Sequence, residues 1–192
     1  MLTFGHLRTI FPEFSPEKEA EAMAAVTTAV DLFESKTNRL WKARQDHIQV
    51  IRTTHQSAKS VFLDLWPIDE IDTVEIAGAW VDGSIRPDLD WEELDTADFG
   101  IIDPTQNELV RLDGLNWTPY IRVTYTGGYA DDEAPSDVLR AIAMQARYLT
   151  SRYDGERFLQ KGQAIEGATV SYEDSKAHPY FLEVAKRLRR IA

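Results

Sequence analysis

From Pro119 to Arg152 the chain reads PYIRVTYTGGYADDEAPSDVLRAIAMQARYLTSR, and within this stretch its apolar residues change period. Ile121, Val123 and Tyr125 alternate with Arg122, Thr124 and Thr126, which gives one apolar and one polar face: a half-buried antiparallel strand. Gly127 and Gly128 follow, where positive φ permits a sharp turn, and an acidic loop leads to Pro135, placed as the first turn of a helix tolerates it. The helix expected from Pro135 to about Tyr153 carries Val138, Ile142, Gln145 or Ala146, and Leu149 on its inward face. A strand that must bury one face and a helix that must bury one stripe, in immediate succession, require an α+β fold.

The rest of the chain supplies partners for both. Ser15, Pro16 and the acids of EKEAEAMAAVTTAVDLFES mark the start of a long helix from about Pro16 to Ser35 or beyond, with Met23, Val26, Val30 and Phe33 as its stripe. From His47 to Thr126 the pattern has period two, with strands expected at His47–Thr54, Ser60–Leu65, Thr73–Val81, Phe99–Ile102, Glu108–Leu112 and Tyr120–Thr126. Trp66-Pro67 ends one of these strands, Asp82-Gly83 signals a hairpin, and DLDWEELD reads as an acidic loop or hairpin. Beyond Asp154 a polar, glycine-punctuated loop precedes a weakly alternating Ala168–Glu173. A short helix is then expected over Pro179–Ile191, with Phe181 or Leu182, Ala185 and Leu188 on one side. The expected organisation is one domain over 1–192. Its small helical bundle comprises 16–45 and 135–153, a β-rich antiparallel insertion spans about 47–126, and a C-terminal loop and helical arm occupy 154–192.

Composition narrows the function. The formal charge of −11 opposes binding nucleic acid by its phosphates, which takes clustered Lys and Arg; such a cluster occurs only as the short C-terminal KRLRR. No apolar run approaches the roughly 20 residues of a membrane span, and the N-terminus has no secretory pattern. With no cysteine there is neither disulfide nor thiolate metal ligand, which suits a reducing cytosol.

Catalytic signals are weak. His6, His47, His55 and His178 show no metal-binding spacing, and no P-loop, GxGxxG or GxSxG is present. The acids Asp88, Asp90, Glu92 and Glu93, or Asp131, Asp132 and Glu133, offer oxygen ligands for a hard cation but lack the EF-hand spacing. Two of the many carboxylates would suffice for a glycosidase, yet nothing singles out a pair, and Trp80, Trp91 and Trp117 read as packing residues. No catalytic residue, metal ligand or cofactor is assigned.

Three segments, in order, resemble the head-tail connector (adaptor) proteins of long-tailed bacteriophages. TNRLW, Thr37–Trp41, is similar to that family's Thr-Gly-Arg-aromatic segment, with Asn38 in place of glycine, a residue that also tolerates left-handed geometry. LDLWPIDEIDTV, Leu63–Val74, resembles its strand-proline-strand element. VTYTGGY, Val123–Tyr129, with Pro135, Leu139 and Ala141, resembles its tyrosine strand, Gly-Tyr turn and following helix.

The resemblance implies a non-enzymatic virion protein, made in the bacterial host cytoplasm and monomeric before assembly. In the virion neck it would form a ring, commonly of twelve subunits, beneath the portal. That ring would meet the next neck or tail-terminator protein and extend the DNA channel without binding DNA specifically. On this view some of Asp88, Asp90, Glu92, Glu93, Asp131, Asp132 and Glu133 face the lumen, where carboxylates give phosphates no purchase. Tyr180, Phe181, Leu182, Val184 and Leu188, with Arg187, Arg189 and Arg190, would dock on the portal, unless the terminal helix instead caps this subunit's own core. Another neck or tail-completion protein and an acidic carbohydrate-active enzyme are the competing readings.

Overall fold

The computed structural model of the chain describes residues 2–81, 84–86, 90–103, 107–155 and 177–189. They form two compact units: Met1–Thr37 with Asp131–Arg189, and one centred on Asn38–Ala130. The first is helical and the second is built of strands, so the fold is α+β as the sequence periods require.

The helical unit is built on the expected pair. A 3-10 turn at Pro16–Lys18 opens into α2 (Glu19–Thr37), and α3 (Ser136–Gly155) packs against it. Ala22, Ala25, Val26, Ala29, Val30 and Phe33 of α2 are buried, as are Val138, Leu139, Ala141, Ile142, Ala143, Gln145 and Ala146 of α3. The small alanines let the two helices approach closely. The helix ends at Thr37, close to the expected Ser35, because Asn38 takes φ 54 and breaks the right-handed path. An additional helix, α1 (Phe4–Ile10), precedes them. α4 (Pro179–Arg187) packs on both α3 and α2.

The β unit has a sheet of order β1-β9-β3-β6, comprising β1 (Arg44–Arg52), β9 (Tyr120–Gly127), β3 (Ile68–Ala77) and β6 (Glu92–Glu93). A second sheet has the order β2-β8-β7, from β2 (Ser60–Phe62), β8 (Glu108–Arg111) and β7 (Phe99–Asp103). A hairpin pairs β4 (Ala79–Val81) with β5 (Ser84–Arg86), Val81 opposite Ser84. The named strands pair antiparallel, and isolated parallel bridges join Leu40 to Leu65 and Lys42 to Tyr129. β9 shows the expected alternation, with Ile121, Val123 and Tyr125 fully buried. They join Val61, Leu63, Leu65, Val74, Phe99, Leu109 and Trp117 in one apolar core. The Asp82-Gly83 turn and the Ala168–Glu173 strand expected from sequence lie outside the described residues.

Candidate functional site

Parts of the three segments that carry the resemblance, Asn38–Trp41, Leu63–Val74 and Val123–Tyr129, converge in the β unit. Trp41, Trp66 and Tyr129 form an aromatic cluster: Trp41 meets the edge of Trp66 at 4.7 Å between centroids and stacks on Tyr129 at 6.0 Å. Arg39 is buried with its guanidinium 5.1 Å from the Trp66 ring. Backbone bonds tie the same strands together. Leu40 N–H donates to Asp64 O, Trp66 N–H to Leu40 O, Tyr129 N–H to Trp41 O, and Gly128 N–H to Pro67 O, all between 2.7 and 2.9 Å.

The glycines are obligatory at this junction. A Cβ on Gly127 would lie 2.2 Å from Pro67 O, and Gly128 has φ 84 with Lys42 O 2.6 Å from where its Cβ would stand. Beside the junction the Tyr125 hydroxyl donates to Gln49 Oε1 at 2.7 Å and accepts from the N–H groups of Asp64 and Leu65. The junction is a structural lock, densely bonded internally.

The portal-docking residues expected from sequence divide by burial. His178 caps α4, its ring nitrogen accepting from Tyr180 N–H, while its own N–H donates at 2.7 Å to Oε1 of the fully buried Gln145. Phe181 is fully buried edge-on to Phe33 at 5.5 Å, and Val184 is also buried. These side chains pack into the helical unit's own core. Leu182 and Arg189 are exposed, Tyr180 and Leu188 half-exposed, and Arg187 pairs with Asp137 at the surface. Arg190 lies outside the described residues.

The candidate channel acids divide between the two units. Asp90, Glu92 and Glu93 are exposed at the β6 edge of the four-stranded sheet, whereas Asp131–Glu133 belong to the helical unit. Asp132, at φ 62, has an internal role. Its carboxylate accepts from Thr3 N–H at 2.8 Å and from Thr3 Oγ1, and lies 3.6 Å from His6 Nδ1, so it anchors the start of α1. Asp131 and Glu133 are exposed, and Asp88 lies outside the described residues.

The electrostatics are those of paired surface charges. The Arg122 guanidinium, bonded to Glu75, holds that carboxyl below the usual carboxylate range, and Glu75 in turn raises Arg122. Arg111 lowers Asp113 in the same way. Burial, then the neighbouring Arg44, lowers His47 against the opposing pull of Asp64. Among the described residues there is no group of three or more His, Cys, Asp or Glu placed to hold a metal ion. A groove of about 200 Å³ is lined by Glu13, Phe14, Lys18, Glu21, Arg147 and Thr150, with Arg147 paired to Glu13 at 2.9 Å. Among the described residues no helix is long and apolar enough to cross a membrane.

Sequence reasoning missed α1 and the Asp132 anchor; Thr3, whose hydroxyl accepts from His6 N–H, was the available N-cap signal.

No family model and no curated protein matches the chain. Its fold does match solved structures. A chain from the neck of an empty gene transfer agent particle, computed with C6 symmetry, aligns with TM-score 0.59 and 13% identity over 98% of this chain and 89% of that one. A chain from the neck of the native particle, computed with C12 symmetry, aligns at 0.55 and 14% over 96% and 88%. A chain of the native gene transfer agent virion aligns at 0.53 and 15% over 95% and 82%. Over nearly its whole length, this chain has the fold of a protein from the neck of gene transfer agent particles.

Proposed function

We propose that this chain is a virion neck protein, a head-tail connector whose copies form a ring under the portal, join capsid to tail and extend the DNA channel. The observation that carries the reading is the fold match across nearly the whole chain to neck proteins in particles computed with C6 and C12 symmetry. The sequence resemblance agrees independently, because the residues that bear it, Trp41, Trp66, Gly127, Gly128 and Tyr129, are the ones that lock the β unit.

The surface chemistry supports the same reading. A subunit in a closed ring works through two different contact patches. The net charge of −11 suits a lumen through which DNA slides without adhering, with Asp90, Asp131 and Glu133 as its exposed acids. Portal docking falls to the outer side of α4: Leu182, the half-exposed Tyr180 and Leu188, and Arg189. Phe181 and Val184 hold the helix to its own unit.

Deleting the gene tests the reading by electron microscopy of lysates. Filled heads and separate tails are expected, with joined particles restored by the gene supplied in trans. Normal numbers of joined particles without the gene would refute it.

A further inference from the structure

The four-stranded sheet has two edges of opposite chemistry. β1 is bonded along one side to β9, and β6 along one side to β3, so among the described residues each leaves an outer edge of strand backbone. β1 begins at Arg44 and ends at Arg52, both exposed, and between them Ile48 and Val50 are each 59% exposed. At the opposite edge Asp90, Glu92, Glu93 and Asp95 are all exposed.

The register aligns these edges. Val50 faces Arg122, Arg122 faces Glu75, and Glu75 faces Glu93, so one row of side chains crosses the sheet from β1 to β6. Inside the row, unlike charges already meet as the Arg122–Glu75 pair. The row ends on one side in an apolar residue two positions from the exposed Arg52, on a strand that also exposes Arg44 and Asp46, and on the other side in a carboxylate.

We infer that β1 of one copy pairs with β6 of the next, so that this sheet continues from subunit to subunit. The inference rests on the ring reading and names the contact that closes it. Added alongside β1, a neighbour's Glu92–Glu93 stands beside Val50 and within reach of Arg52. The contact is head-to-tail, since two β6 edges would oppose carboxylate to carboxylate, whereas β1 offers them Arg52. A dimer through two β6 edges is therefore disfavoured, and repetition of the contact generates a ring.

The chain has no cysteine, so engineered pairs can be read without background. In assembled particles carrying Val50→Cys with Glu93→Cys, a short bismaleimide should give a ladder of cross-linked multimers on a denaturing gel, and each single variant none. Dimers from Val50→Cys alone, or no ladder from the double variant in particles with intact necks, would overturn the inference.

Charge reversal gives a second readout. R52E should cut joined particles more than about tenfold, and E92K/E93K in the same chain should restore them. Full assembly of R52E would overturn the edge contact alone. A neck lacking a ring of this wild-type chain would instead overturn the ring reading, and the contact with it.

Discussion

Phe181→Ala measures how firmly the terminal helix belongs to its own unit. Phe181 is fully buried on α4, edge-on to Phe33 at 5.5 Å, on a helix whose first turn is tied to the buried Gln145. Truncating a fully buried phenylalanine removes its transfer free energy and leaves a cavity, at a cost of about 3–5 kcal/mol. The aromatic pair adds about 0.5–1.5 kcal/mol of coupling that a cycle with Phe33→Leu isolates. Leu182, next in sequence and on the exposed side, should change stability by less than about 0.5 kcal/mol when truncated.

The assay can watch the helical unit selectively. All four described helices lie in that unit and all five tryptophans in the other, so circular dichroism at 222 nm follows the former and tryptophan fluorescence the latter. The Phe181→Ala melt followed at 222 nm should fall by roughly 10 °C or more. A shift no larger than that of Leu182→Ala would refute the argument that α4 is part of the subunit core.

Gly128→Ala should destabilise the β unit by more than about 1 kcal/mol, read by tryptophan fluorescence, because its φ of 84 is unfavourable to alanine and the new methyl meets Lys42 O. Tyr125→Phe should cost about 1–3 kcal/mol in the same measurement, since it removes an acceptor shared by the Asp64 and Leu65 N–H groups. His47 binds its proton less readily in the folded state than in the unfolded chain. Its contribution is therefore complete above the ordinary imidazole value of 6.5 and is lost as pH falls through 6.5 toward the depressed folded value. Urea midpoints of His47→Gln should accordingly vary less than wild type over that window; an unchanged slope would contradict the assignment.

Local signals carried much of this fold. The alternation of Ile121, Val123 and Tyr125 and the stripe of Val26, Val30 and Phe33 each name a buried face, and Asn38 adopts the left-handed geometry its side chain tolerates. Sheet order was not legible. β9 lies between β1 and β3, partners distant along the chain, and nothing in their shared alternation selects one neighbour over another. α1 is short and depends on Asp132, 129 positions from Thr3, so local periodicity does not reveal it. For α4 the apolar residues were visible but their destination was not. Phe181 and Val184 turn inward and Leu182 outward because the helix packs on α2 and α3, which only the tertiary arrangement specifies. The acids likewise read as one class, yet Asp132 serves as an anchor while Glu92 and Glu93 occupy a sheet edge.

A cryo-electron microscopy reconstruction of the particle's neck tests the central claim most directly. The account predicts a closed ring of this α+β fold between portal and tail, its β1 edge against the neighbour's β6. A neck whose density accommodates no copy of this fold would contradict it.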